Sequence, residues 1–370
     1  MAVPLLDLKA QHATIRDEVV QAVMAVVDEQ AFILGDPVGR LECDVAGLSQ
    51  VKFAIGCANG TDAILLSLRA LGVGAGDAVV TTPFTFFATG GAIHNVGAKP
   101  VFVDIDPRTF NINPDAVRAA VSADTKAVIA VDLFGQMAPI EQVVAAAAGR
   151  PVIEDAAQSI GASRQIDGAT VMAGQAATIG TFSFFPSKNL GGYGDGGMMV
   201  TQNDLLNDTL LKLRTHGSRK TYYHEIVGYN SRLDALQAAV LLAKLPHLAS
   251  WSAARRANAA YYDQAFSDLA DVVTPYIDPA NTSIYNQYTL RVPNRDGLQE
   301  YLKARGVGNS VYYPLPLHLQ PCFAYLGYTE GAFPESERAA REVISLPVFP
   351  ELTVAQRDEV VVAVRAFFGR

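Results

Sequence analysis

Apolar positions recur along this chain in two rhythms. Short strand-like runs built on apolar residues stand at 78–82, 100–104, 127–131, 152–155, 178–185 and 197–201. Runs of that length, bounded by turn residues, predict strands buried on both faces. Between several of them the spacing lengthens to that of a helix, over 113–121 and 140–148, and earlier over 16–27. Strand and helix in alternation predict an α/β fold, a mostly parallel central sheet flanked by helices. A long helical run covers 233–266, with Pro246 as its break, because proline has no N–H to continue the ladder. Beyond it come a strand at 288–292, a helix over 295–305 and a proline-rich loop through 313–321. The change of pattern predicts a large unit at 1–249, including the N-terminal segment, and a smaller C-terminal α+β unit at 250–370.

Composition narrows the class. The chain has 370 residues, half of them hydrophobic and 18% charged, enough to bury a large core. A net charge of −8 with pI near 5.3 argues against a nucleic-acid surface, which needs clustered Lys and Arg. Cys43, Cys57 and Cys322 are widely spaced, with neither a pairing nor a metal pattern, and fit a reducing cytoplasm. The six histidines show no ligand spacing, so no metal is expected. No apolar run approaches the roughly 18 residues of a membrane span. The start of the chain, with Asp7 and Lys9, lacks the apolar core of a secretory signal. A soluble cytoplasmic protein is expected.

The chemistry concentrates in four segments. Ser183-Phe184-Phe185-Pro186-Ser187-Lys188 runs from an apolar strand into the glycine-rich turn Gly191-Gly192. A lysine at the mouth of a buried strand is costly as a cation and suits Schiff-base chemistry; it is also compatible with an ordinary loop lysine. Upstream, Val152-Ile153-Glu154-Asp155-Ala156-Ala157-Gln158-Ser159 puts Asp155 at a strand's carboxyl end, where open α/β sheets bind ligands. Pyridoxal phosphate needs both a lysine for its aldehyde and a carboxylate for its pyridine nitrogen. Asn59-Gly60-Thr61-Asp62-Ala63 opens a helix, and either caps it or receives a phosphate at Gly60 and the Thr61 hydroxyl. Ser183 is a second phosphate donor. In Thr81-Thr82-Pro83-Phe84-Thr85-Phe86-Phe87-Ala88-Thr89, Phe86 is the candidate to stack on the cofactor ring, although core packing is the commoner fate of a phenylalanine.

With Gly228-Tyr229-Asn230-Ser231-Arg232-Leu233-Asp234 and Tyr313-Pro314-Leu315-Pro316-Leu317-His318 added, the chain resembles the DegT/DnrJ/EryC1/StrS sugar-nucleotide aminotransferases, of fold-type I among pyridoxal-phosphate enzymes. The resemblance runs from Leu5 to Pro347. It implies that Lys188 bonds the cofactor and shuttles the proton at the reacting carbon, and that Asp155 pairs with the pyridine nitrogen. Gln158 would lie against the ring and its hydroxyl oxygen. Gly60, Thr61 and Ser183 would hold the phosphate, and Asn230 would reach it from the other subunit of a homodimer. Pyridoxamine phosphate would carry the amino group between an L-glutamate donor and a nucleotide-linked keto sugar. Relatives that remove a sugar hydroxyl carry histidine at the lysine position, so Lys188 weakens a dehydratase reading.

Two departures bear on the sugar. Many 4-keto-sugar members read Asn-Tyr-Arg where this chain has Asn230-Ser231-Arg232. The serine version is similar to branches acting on 3-keto sugar nucleotides, above all UDP-2-acetamido-2-deoxy-3-keto-glucuronate. Against that branch, Tyr312 replaces a histidine that often precedes the Tyr-Pro pair. Tyr312, Tyr313 and His318 are expected to line the sugar pocket. Arg232 is the expected carboxylate clamp, for the glutamate donor or for a uronate, with pairing to Asp234 as the structural alternative. A 4-keto sugar, a cyclitol, or a non-catalytic regulatory protein on the same fold are the competing readings.

Overall fold

Strands that are apolar on both sides need cover on both faces, and helices supply it. The computed structural model describes residues 2–370. Its strands in chain order begin with β1 (Phe53–Cys57), β2 (Ala78–Thr81), β3 (Lys99–Phe102), β4 (Thr125–Val131) and β5 (Val152–Asp155). A hairpin of β6 (Ser163–Ile166) and β7 (Ala169–Met172) stands apart, and β8 (Ile179–Ser183) and β9 (Gly197–Thr201) return to the main sheet. That sheet runs β1-β9-β8-β5-β4-β2-β3. Every pairing from β8 through β5, β4 and β2 to β3 is parallel, and only β9 runs against its neighbours. The mostly parallel α/β fold is therefore the one the apolar runs predict.

Helices Phe87–Asn95, Pro114–Ala120 and Ile140–Ala146 make the crossovers between consecutive parallel strands. Local chemistry starts them: Asn113 accepts N–H bonds from Asp115 at 2.9 Å and Ala116 at 3.3 Å, with Pro114 in the first turn. The long helical run breaks where proline predicts it. Helix Ala235–Lys244 passes through a 3₁₀ turn at Leu245–His247 into helix Leu248–Phe266. The first helix, Leu8–Glu29, is capped by Asp7 and lays Ile15 and Val19 against Val240 and Trp251.

A second core gathers Tyr262, Phe266, Tyr288, Leu290, Leu298, Leu302, Ile344 and Val360. Around it, strand Tyr288–Arg291 pairs antiparallel with Val343–Leu346. Backbone contacts cross the expected boundary at residue 250. Val3 bridges to Val307 and is buried in the second core, so the chain's start belongs with the later unit. Conversely, Asn281–Thr282 pairs with β6, and Ser283 donates to the Gly135 carbonyl at 3.0 Å, so this segment belongs with the larger unit. Backbone pairing between distant segments decides both placements. The β6–β7 hairpin carries too polar a pattern to be read as buried strand.

Candidate active site

Parallel strands direct their carboxyl ends to one edge of the sheet, where the side chains that follow them meet. Val131, Asp155 and Ser183, at the ends of β4, β5 and β8, line one open cavity of about 470 Å³ there. Of the expected site residues, Gly60, Thr61, Phe86, Asp155, Gln158, Ser183, Lys188, Tyr312 and Tyr313 all line it.

Helix Gly60–Ala70 points its N-terminus into the cavity. Asn59 caps it, accepting from the Asp62 N–H at 2.8 Å, and the capped helix start still lines the cavity. A Cβ on residue 60 would lie 2.6 Å from the Ser183 Cβ, and one on residue 197 would lie 2.3 Å from the Asn59 carbonyl oxygen. Glycine at both positions lets the helix start press onto β8 and β9. The helix start, Thr61 and Ser183 then line the cavity together, and backbone N–H groups with two hydroxyl residues are a donor set suited to a phosphate dianion.

Asp155 is almost fully buried. Its Oδ2 accepts from the Thr89 hydroxyl at 2.9 Å and its Oδ1 from the Ala157 N–H at 3.3 Å. Burial raises its pKa, opposed by the Thr89 bond and the charge of Lys188. Burial also lowers Lys188 to about 8, opposed by Asp155. Half of such lysines are neutral nucleophiles at pH 8, against less than about 1% for an ordinary lysine. Gln158 is held at both ends, its Oε1 accepting from the Phe134 N–H at 2.7 Å and its Nε2 donating to the Tyr313 hydroxyl at 3.1 Å. Tyr313 is pushed upward by burial and stays a neutral phenol. The rings of Tyr313 and Phe86 lie 6.2 Å apart at the mouth, where Phe86 is 57% exposed. Lysine, buried carboxylate and phosphate cradle in one cavity fit pyridoxal phosphate.

Three expected site residues lie elsewhere. His318 is buried, 3.0 Å from Glu337 through Nε2 and edge-on to Phe333 at 4.8 Å, and does not line the cavity. The Leu317 N–H donates to the Pro83 carbonyl at 2.8 Å, and the turn Leu317–Leu319 tucks the imidazole into an aromatic cluster. Burial lowers its pKa, with Glu337 opposing. Asn230 and Arg232 also do not line this chain's own cavity; Asn230 is exposed. Between them Ser231 is fully buried, donating to Asp62 at 2.7 Å and accepting from the Ala58 N–H at 3.3 Å. That fastens the segment to the start of helix Gly60–Ala70. Sequence reading missed this role of Ser231, and missed Thr89, Asp195 and Gln287. Thr89 stood in a quoted segment, but helical phase alone does not show which hydroxyl meets Asp155.

These features define the class: a pyridoxal-phosphate-dependent aminotransferase. The chain belongs to the DegT/DnrJ/EryC1/StrS aminotransferase family, whose profile matches residues 13–365. A protein of Geobacillus stearothermophilus named pleiotropic regulatory protein is 52% identical, covering 100% of this chain and 99% of its own. The UDP-N-acetyl-3-dehydro-alpha-D-glucosamine 3-aminotransferase of Acidithiobacillus ferrooxidans is 44% identical, covering 98% and 97%. The UDP-2-acetamido-2-deoxy-3-oxo-D-glucuronate aminotransferase of Pseudomonas aeruginosa is also 44% identical, covering 95% and 97%. Among solved structures, S. venezuelae DesV in complex with a ketimine intermediate superposes with a TM-score of 0.97 at 38% identity, covering 100% and 99%. Among the described residues no helix is long and apolar enough to cross a membrane, and no cluster of His, Cys, Asp and Glu is arranged to hold a metal ion.

Proposed function

We propose that this chain transfers the amino group of L-glutamate to C3 of a UDP-linked 2-acetamido-2-deoxy-3-keto sugar, with the 3-keto-glucuronate as its substrate. The observation that carries the transferase chemistry is the facing pair Lys188 and Asp155 in one cavity. Bound there, pyridoxal phosphate supplies the electron sink that makes an amino acid's α-proton removable. Gly60, Thr61 and Ser183 hold the phosphate. Asp155 keeps a proton on the ring nitrogen. Gln158, fixed by Phe134 and Tyr313, holds the ring's face and hydroxyl side. Lys188, half of it neutral at pH 8, would accept the α-proton through Nζ and deliver it to the cofactor carbon on the far side of the shared nitrogen. The same residues act in reverse on the keto sugar, a ping-pong cycle.

The 3-keto position is supported by two relatives that act on UDP-linked 3-keto sugars and by the Asn230-Ser231-Arg232 segment. A purely regulatory role, suggested by one relative's name, gives the Lys188–Asp155 pair nothing to do. The working unit is a homodimer. Asn230 and Arg232 do not line their own cavity, and the neighbouring hairpin exposes Tyr222, Tyr223 and Val227, an apolar surface suited to a second copy. Three cysteines without a disulfide fit a cytoplasmic setting.

The test is transamination with L-glutamate and three ketones: the UDP-2-acetamido-3-keto-glucuronate, its neutral 3-keto-glucose counterpart and a dTDP-3-keto sugar. The highest kcat/KM for the uronate supports the proposal. Preference for the neutral sugar reassigns the substrate, and turnover of none overturns the 3-keto reading.

A further inference from the structure

A carboxylate that must keep a proton on a ring nitrogen has to stay ionised, and Asp155 is 5% exposed. Burial alone pushes it toward the neutral acid. The charge of Lys188 opposes that, but Lys188 changes its own bonding and protonation during the reaction. The contacts that persist are the Ala157 N–H on Oδ1, at 3.3 Å, and the Thr89 hydroxyl on Oδ2, at 2.9 Å. Thr89 is completely buried in the first turn of helix Phe87–Asn95 and does not line the cavity. Its Oγ1 lies 3.1 Å from that of Thr85, which does line it.

Counting protons gives this chain a direction. An ionised carboxylate only accepts, and each threonine hydroxyl has one proton. The Thr89 proton is committed to Asp155, so Thr85 must donate to Thr89. Thr85 donates to Thr89, which donates to Asp155, and the Thr85 oxygen keeps its lone pairs toward the cavity. A neutral Asp155 bearing its proton on Oδ2 would reverse the chain. Donating in this direction, the Thr89 bond favours the charged form of Asp155.

We propose that Thr89, backed by Thr85, is a positioning residue that holds Asp155 ionised and fixes the direction in which it meets the cofactor's ring nitrogen. The inference rests on the pyridoxal-phosphate reading of the cavity. It assigns a task to two hydroxyls that touch neither the phosphate cradle nor Lys188.

The test uses full-length enzyme stripped of cofactor and titrated with pyridoxal phosphate, with thermal unfolding of the same apoproteins as a control. Thr89→Val removes the hydroxyl at nearly constant shape, and Thr89→Ser keeps it. A hydrogen bond to a charged group leads us to expect cofactor affinity on the order of tenfold or more weaker in the valine variant, recovered to within about threefold by serine. In the reloaded enzymes, the absorbance change driven by L-glutamate should slow in the valine variant with KM for glutamate unchanged. Equal losses in the two variants, or none in valine, would overturn the proposal. Should Thr89→Val not fold, Thr85→Val takes its place with a smaller expected loss, and wild-type affinity and rate in that variant would overturn it as well. If the unaltered protein neither takes up pyridoxal phosphate nor responds to glutamate, the transferase reading itself fails, whatever Thr89 does.

Discussion

Gly60 and Ser183 approach so closely that a methyl group on residue 60 would stand 2.6 Å from the Ser183 Cβ. The helix start can therefore reach the end of β8 only with glycine at this position. Gly60→Ala must push the two apart, at about 1–3 kcal/mol of overpacking. The expected outcome is a protein that folds with a lower denaturation midpoint and binds pyridoxal phosphate on the order of tenfold more weakly, since the phosphate donors lose their common focus. Titration of the apoprotein checks it, and unchanged affinity would show that Gly60 is not part of the cradle.

Lys188 gives a pH signature. Burial lowers it to about 8, so the neutral amine grows in as pH rises through that value. The rate at which apoprotein captures pyridoxal phosphate should rise with pH, with a midpoint near 8, and level off above it. Asp155→Asn removes the charge that opposes the lowering and should move the midpoint down. Stopped-flow absorbance measures both. A midpoint near 10 would mean that the cavity leaves the lysine unperturbed. Lys188→Ala should show no transamination.

Asn230 tests the shared site. A Lys188→Ala chain mixed with an Asn230→Ala chain should form heterodimers in which one cavity has both residues intact. Activity should return toward about one quarter of wild type, as random pairing dictates for one good site in half the dimers. No recovery, with heterodimers demonstrated by mass, would place Asn230 outside the partner's cavity.

His318 now has a structural task. His318→Ala removes an imidazole packed on Phe333 and held to Glu337 at 3.0 Å, while Glu337 keeps its N–H donors from Gly331 and Phe333. We expect a loss of about 2–3 kcal/mol in urea unfolding and KM for the sugar substrate within twofold of wild type. A large KM change with intact stability would return His318 to the sugar pocket.

Glu154 and Asp132 are both fully buried. Burial raises Asp132 to about 6, and burial together with the Asp132 charge raises Glu154 well above its usual value. The folded protein thus keeps a proton that the unfolded chain releases above about pH 4.5, so this group's contribution to stability falls as pH rises from there. Glu154→Gln has no proton to lose. Its stability relative to wild type should improve steadily from pH 5 to pH 8 in denaturant titrations, and a difference flat in pH would refute a retained proton on Glu154.

The readable part of the site was the part carried by local order. Lys188 follows its strand, Asp155 ends its own and Gly60 opens its helix within a few residues each, so motif and spacing pointed to residues that line one cavity. Phe86 and Tyr313 were legible for the same reason. The burial of His318 outside the cavity lining was not legible, because a histidine beside a proline-rich loop looks alike whether the loop faces ligand or core. The contact that decides it, Leu317 N–H to the Pro83 carbonyl, joins positions far apart in the chain. Thr89 and Ser231 were overlooked because a hydroxyl has no pattern of its own, and its meaning comes only from what it touches.

The sequence by itself determined the parallel sheet, the break at Pro246, and a lysine and a carboxylate that follow strand ends into one cavity, because apolar period, proline chemistry and strand ends are local properties. The tertiary structure alone decided which side chains surround them. It put Thr89 on Asp155, Ser231 on Asp62, Val3 beside Val307 and His318 against Glu337. Those are meetings between segments distant in sequence, and their energy exists only once the packed core has fixed the segments in space.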